Sequence, residues 1–378
     1  AWTTHPRTGV LISEAGSEPG YTLFGKGGAI NLIDPAGQIV HRWVHDELGG
    51  RGQLLPNGNL LAMMSIPDDA DGAEKIGGSS RGVMELDWDG NVVWQQRNPL
   101  FHHESTRTPD GRTLVVGWEE LPDGIAGIIQ GGVDDPEGAP LRWGDVVHEF
   151  AADGTLLSTW RSWEHLDPEI DVLCPLDARK EWTHCNNIEV MPDGRWLLSF
   201  RLTSTIAFVD PSTGAIDWRW KGVTSHQHDA KPLDNGNILL FDNGCHRFGK
   251  PSFSQVIEMD PTTEEVVWSH RADVVLSLFS YMGSGADRLP GGNTLITECA
   301  TGRILEVTPD HEVVWEYLSP FQTTSSSFGP TPSVSNSQRI MFDDPRLAGR
   351  SLDPQRYAVN ERLSAGERLP ADDVGLDD

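Results

Sequence analysis

The chain has 378 residues, 38% of them hydrophobic and 14 of them Trp, enough for a sizeable core, while 40 Gly and 25 Pro demand many turns and leave little room for long helices. A formal net charge of -27, from 29 Lys and Arg against 56 Asp and Glu, repels phosphate backbones and anionic membranes, so nucleic acid and lipid surfaces are poor partners. Cys174, Cys185, Cys245 and Cys299 lack CxxC spacing and do not form a disulfide framework, although one or two bridges are compatible with them. No apolar run approaches the roughly 20 residues of a membrane span. No signal peptide is visible before "AWTTHPRTGVLI", which starts at Ala and so leaves a secreted origin open.

Along the chain one element recurs six times, an acidic turn followed by an apolar strand ending in Trp. It reads "LIDPAGQIVHRW" (32–43), "ELDWDGNVVW" (85–94), "EFAADGTLLSTW" (149–160), "FVDPSTGAIDW" (208–218), "EMDPTTEEVVW" (258–268) and "EVTPDHEVVW" (306–315). A second element alternates with it: "GQLLPNGNLLAM" (52–63), "STRTPDGRTLVV" (105–116), "IEVMPDGRWLLS" (188–199), "AKPLDNGNILLF" (230–241) and "ADRLPGGNTLIT" (286–297). Each is two short apolar strands joined by a Gly, Asn or Asp turn, which is hairpin chemistry. Two hairpins per repeat predict an all-β, six-bladed β-propeller of four-stranded antiparallel blades.

The predicted domain is a single propeller over 1–345, with 346–378 a partly disordered extension ending in "ADDVGLDD". Blade one lacks its own inner hairpin. "GYTLF" (20–24) is its remnant, completed by the amino-terminal "GVLI" or by the late strand "RIMF" (339–342). The recurring Trp43, Trp94, Trp160, Trp218, Trp268 and Trp315 read as packing between blades. Three insertions, 65–82, 119–145 and 162–182, exceed hairpin length and are candidate site walls or plain surface excursions. The segment "TTSSSFGPTPSVSNS" has a flexible composition.

The repeats differ where histidines begin the inner strands. His103 lies eight residues before Gly111, His228 eight before Gly236 and His184 ten before Gly194. With strict alternation these even offsets put the three rings on one face, converging on a common axis. Gly50 and Gly283 hold the matching position in blades two and six and would leave space there. Neighbouring residues in "HHE" (102–104), "THCNN" (183–187) and "HQHD" (226–229) could fix tautomers, and Arg201 suits a tetrahedral oxyanion.

These residues carry a resemblance. The run from "WTHCNNIEVMPDGRW" through "SFRLTS" to "HQHDAKPLDNGN" resembles the bacterial arylsulfotransferases, the PAPS-independent six-bladed propeller enzymes, over about residues 30–320. The resemblance implies a transferase that carries a sulfuryl group from an aryl sulfate to a phenolic acceptor through a sulfated histidine, His228. It implies His184, His103 and Arg201 as its catalytic partners and Asn186, His102 and His226 as substrate-binding residues. It further implies no cofactor, and a periplasmic or secreted location. Leu202 replaces a second histidine often found after the family's arginine, and the larger members' amino-terminal domain is absent from this sequence.

Three other functions stay open at this level. His103, His184 and His228 could instead hold Zn, Fe or Cu in a metal-dependent oxygenase, hydrolase or lyase, with Glu104 or Asp229 behind them. The propeller could be a docking ring without chemistry, or a lyase acting on uronic acid polymers. Cys245 and His246 in "DNGCHRF" are a secondary ligand pair, a turn, or the site of a bridge to Cys185. A homodimer is compatible with the sequence.

Overall fold

A computed structural model describes residues 7–65, 76–134, 138, 140–325 and 329–370. The chain forms two compact units, one of 1–65, 84–94 and 270–378 and the other of 66–83 and 95–269. Among the described residues six antiparallel blades of four strands make up an all-β chain of the β-propeller class, as expected. No helix among them is long and apolar enough to cross a membrane.

In the first unit, blade six is the ladder Gly285–Arg288, Thr294–Glu298, Arg303–Val307 and Val313–Leu318. Gly9–Ser13 adds a fifth strand to its outer edge. Blade one is Gly20–Lys26, Ala29–Ile33 and Ile39–Val44, with Ser337–Met341 paired antiparallel to Gly20–Lys26. Of the two strands considered for blade one, the late "RIMF" segment therefore supplies the missing partner, while "GVLI" covers blade six. Blade two consists of Leu48–Leu54, Leu60–Met64, Gly82–Leu86 and Val92–Arg97.

The carboxyl-terminal extension is built into the first unit. The helix Val359–Ser364 buries Val359 against Trp315 and Phe321, and Asn360 exchanges two hydrogen bonds with the backbone of Ile39, at 2.8 and 2.9 Å. Leu369 pairs with Phe321. Within the segment expected to be flexible, Phe321–Ser325 pairs with Gly329–Thr331. The "ADDVGLDD" tail lies outside the described residues. Gly283 is not a gap: a Cβ there would meet Cys299 Sγ at 2.8 Å.

The second unit holds blades three, four and five, whose innermost strands are Phe101–Arg107, Cys185–Val190 and His228–Pro232. Their hairpins turn on glycines such as Gly111 and Gly194 at φ 88° and 89°, backbone that favours glycine. Apolar residues on alternate positions of neighbouring blades mesh in one cluster, with Leu114, Val147, Trp182, Ile188, Leu198 and Phe200 all nearly inaccessible. Three of the recurring Trp pin one blade to the next within a unit. Trp160 Nε1 donates to the Gly214 carbonyl at 2.9 Å, and in the first unit Trp43 donates to Asp87 and Trp315 to Pro35 in the same way. A buried Trp that meets a carbonyl keeps its apolar benefit without stranding its N–H. Trp43, Trp160 and Trp315 are buried, while Trp94, Trp218 and Trp268 are half-buried.

Two insertions of this unit meet. Gly131–Val133 from 119–145 pairs in parallel with Leu173–Ala178 from 162–182. Residues 66–75 of the third insertion lie outside the described residues, but its end, 76–80, packs beside the site.

Candidate active site

Each inner strand of the second unit starts with a break in register. The break falls opposite Val115 and Gly117 in blade three, between Cys185 and Asn187 in blade four and between His228 and Lys231 in blade five. Such bulges re-aim side chains, so the even offsets read from the sequence do not by themselves define one face. The backbone is left-handed at His103 (φ 55°), His184 (φ 53°), His226 (φ 62°), Asp229 (φ 57°) and His246 (φ 55°), and non-glycine residues held there cluster at functional sites.

Blades three and four bring His102, His103 and His184 together. The His103 and His184 rings meet edge to face with centroids 4.4 Å apart, and His102 stacks on Trp118 at 3.9 Å. His102 Nδ1 lies 2.8 Å from His103 Nδ1, so one of these nitrogens must donate to the other. His102 Nε2 is 3.1 Å from Asp145 Oδ1, an ion-pair distance away from the line of a well-directed hydrogen bond. The buried Asp145 also accepts from the Thr183 hydroxyl and, at 2.9 Å, from the Cys185 backbone N–H, tying the two strand starts together. Gly78, at φ +81°, lies directly beneath the His103 ring, and a Cβ there would come within 2.4 Å of three ring atoms.

Behind His184 stands Glu181, hydrogen-bonded to Nδ1, with its other oxygen accepting from Trp118 Nε1 at 2.9 Å. Burial, reinforced by the charge of Asp145, pushes the Glu181 carboxyl up to about 8. Burial, and then the nearby Arg201 charge, push His184 well below its ordinary range. At neutral pH the pair is a protonated carboxyl and a neutral imidazole. Glu181 then donates to Nδ1, which leaves the ring proton of His184 on Nε2.

In blade five His228 is buried, and its Nδ1 faces two acceptors, Asn243 Oδ1 at 2.7 Å and the His226 carbonyl at 3.2 Å. Nδ1 therefore donates, and the lone pair of the neutral ring is on Nε2. Gln227, between the two histidines, is structural: its side-chain amide donates to Ser199, Phe200 and Thr205, and its backbone carbonyl accepts from Asn186 Nδ2 at 2.8 Å. One N–H of Asn186 is thus spent on joining blades four and five. Asp229 forms an ion pair with Lys231 at 2.9 Å.

Arg201, half-buried, follows the inner hairpin of blade four. Its backbone N–H donates to the His184 carbonyl at 3.1 Å. Its guanidinium has no hydrogen-bond or ion-pair partner among the described residues, although its charge reaches His184, Glu181, Asp177, Cys174 and His246. A guanidinium with donors to spare among neutral imidazoles can receive an anion.

The first histidine of "HQHD" belongs to another group. His226 Nε2 lies 2.6 Å from Asp177 Oδ2, His246 Nδ1 lies 3.7 Å from Asp177 Oδ1, and Cys174 Sγ lies 3.4 Å from His246 Nδ1. Ligand atoms of these four residues all fall within 4.8 Å of one another, and they form the one such converging set among the described residues. The His103, His184 and His228 set considered for a metal is not that set. None of the four cysteines forms a disulfide, so Cys245 is not bridged to Cys185. The carboxylates that orient the histidines, Asp145, Asp177 and Glu181, were missed in the sequence. Glu181, three residues before His184 in "EWTH", carried a local signal; the other two did not.

The sequence profile of the arylsulfotransferase (ASST) family matches residues 77–319. No curated protein matches the chain. Among solved structures, a Bacteroides caccae protein of unknown function superposes with a TM-score of 0.53 at 15% identity, covering 85% of this chain and 99% of its own. A streptogramin B lyase follows at TM-score 0.46 and 13% identity, covering 83% and 84%. Virginiamycin B lyase from Staphylococcus aureus follows at 0.42 and 8%, covering 78% and 84%. At these identities the first likeness bears on the fold alone.

Proposed function

The chain belongs to the arylsulfotransferase (ASST) family, and from that premise we propose that it moves a sulfuryl group from an aryl sulfate ester to a phenolic acceptor through a sulfated His228. The observation that carries this reading is the tautomer of His228, with Nδ1 committed to Asn243 and the His226 carbonyl and the lone pair on Nε2. In the first half-reaction Nε2 attacks sulfur, an N–S bond forms, the S–O bond to the aryl group breaks and a phenolate leaves. Arg201, whose guanidinium has donors to spare, holds the sulfuryl oxygens as charge shifts across them. His184 Nε2–H protonates the departing phenolate while Nδ1 takes the Glu181 proton, a relay suited to a carboxyl held near 8. The second half-reaction reverses these steps: the acceptor phenol gives its proton back to the His184–Glu181 pair, its oxygen attacks sulfur and the N–S bond breaks.

The His103 ring meets that of His184 edge to face and positions it, and His102 Nδ1 in turn lies 2.8 Å from His103 Nδ1. Replacement of His228 with Asn should abolish release of a chromogenic phenol from its sulfate ester in the presence of an acceptor phenol. Wild-type turnover by that variant would sink the assignment. Activity on a uronic acid polymer with none on aryl sulfates would place the chain among lyases instead.

A further inference from the structure

His226 and Asp177 pose a problem of proton accounting. His226 Nδ1 lies 3.0 Å from the Cys245 carbonyl oxygen, which can only accept, so Nδ1 carries the ring hydrogen. Its Nε2 then presents a lone pair to the Asp177 carboxylate 2.6 Å away, and two acceptors at that distance need a cation between or beside them. A proton would suffice for two groups. It would not account for the Cys174 sulfur and the His246 imidazole converging on the same point.

We propose that Cys174, Asp177, His226 and His246 form a binding site for a zinc-like divalent transition metal, distinct from the His228 centre. The donor set of one sulfur, two nitrogens and one oxygen is typical for zinc. Bonds of 2.0–2.3 Å at tetrahedral angles put neighbouring ligand atoms roughly 3.3–3.6 Å apart. The separations of 3.4 Å from Cys174 Sγ to His246 Nδ1 and 3.7 Å from His246 Nδ1 to Asp177 Oδ1 lie close to that range, and the 2.6 Å between His226 Nε2 and Asp177 Oδ2 has to open by roughly 0.7 Å as the ion enters. The hydrogen bond from His226 Nδ1 to a backbone carbonyl orients the ring and frees Nε2, as outer partners of metal-bound histidines do. Thiolate and carboxylate together balance the two charges of the ion. Cys174 is half-buried and His246 exposed, which gives the metal a way in.

Two ligands come from the insertion 162–182 and two from the segments flanking the inner hairpin of blade five, so the ion would clip the insertion strand Leu173–Ala178 to that blade. Both histidine ligands sit in left-handed backbone, held there by the fold before any ion arrives. The inference does not rest on sulfuryl transfer, and its readout is metal binding.

The test is metal analysis of the full chain purified without a polyhistidine tag, followed by titration of metal-free protein with Zn²⁺ and Co²⁺. We expect about one zinc per chain, a Co²⁺ adduct with tetrahedral visible bands and a thiolate charge-transfer band, and loss of that band in Cys174→Ser. His246→Ala, an exposed substitution that should fold, is expected to weaken zinc more than about 100-fold. His228→Asn should bind the metal as wild type does even if it is inactive, which separates this site from the transferase reading. A wild-type chain that retains and binds no stoichiometric zinc would overturn the proposal. So would a cobalt spectrum unchanged in Cys174→Ser and His246→Ala, or one lost in His228→Asn alone.

Discussion

The side chains at the centre of the account owe their chemistry to partners on other strands. Glu181 has a carboxyl raised in the folded chain, so its contribution to stability is complete below about 4.5 and is lost as pH rises through about 8. Thermal unfolding followed from pH 4 to pH 9 should show Glu181→Gln losing less stability than wild type over that window; identical profiles would contradict a buried neutral carboxyl. Removing the guanidinium with Arg201→Ala should cost about 10²–10³-fold in kcat/KM for an aryl sulfate, the usual cost of losing an oxyanion donor. Gly78→Ala should displace the His103 ring and destabilise the fold by about 1–3 kcal/mol, read by denaturant unfolding. The sequence offered His103, His184 and His228 as candidates because they sit at repeat positions that can be compared, and Arg201 because it follows an inner hairpin. It hid Asp145 and Asp177, which reach the histidines from strands remote in the chain. His226, only two residues before His228 in the chain, faces Asp177 from left-handed backbone of its own, which no local sequence signal marks.

At the level of elements, hairpins were legible because turn glycines and alternating apolar residues are local signals. Bulges were not: nothing in "HQHD" or "THCNN" marks where pairing skips a residue, and the alternation argument fails at those skips. The role of the recurring Trp as an inter-blade contact is now specific, since each of Trp43, Trp160 and Trp315 reaches a carbonyl in the turn of the next blade. Trp160→Phe should therefore cost about 1 kcal/mol for the lost hydrogen bond, in addition to the smaller ring volume. A denaturant midpoint equal to wild type would show that the bond to Gly214 contributes nothing. The insertions, indistinguishable in sequence from surface loops, pair with each other and carry Cys174, Asp177 and Glu181 to the histidines.

For the molecule as a whole, the count of six Trp-ended hairpins was enough to give the number of blades, and the ambiguity lay in blade one, where two candidate strands had similar apolar character. Its partner comes from Ser337–Met341, so a chain ending before residue 337 would expose the edge of Gly20–Lys26 and should aggregate or fail to fold. The charge of -27 acts at long range against an anionic ester, while Arg201 acts only close by. Raising ionic strength from about 0.01 M to about 0.15 M should therefore increase kcat/KM for aryl sulfates by screening that repulsion.

Sulfuryl transfer through His228 is a covalent step at one atom, and trapping the adduct tests it without an intervening inference. The protein is incubated with an aryl sulfate and no acceptor, quenched, digested and sequenced by mass spectrometry across residues 222–247, the tryptic peptide that contains His226, His228 and His246, since the Lys231–Pro232 bond resists trypsin. A gain of one sulfuryl group on His228 is expected, discharged by adding a phenol and absent from His228→Asn. A sulfuryl group on His226 or on another peptide, or full turnover by His228→Asn, would contradict it.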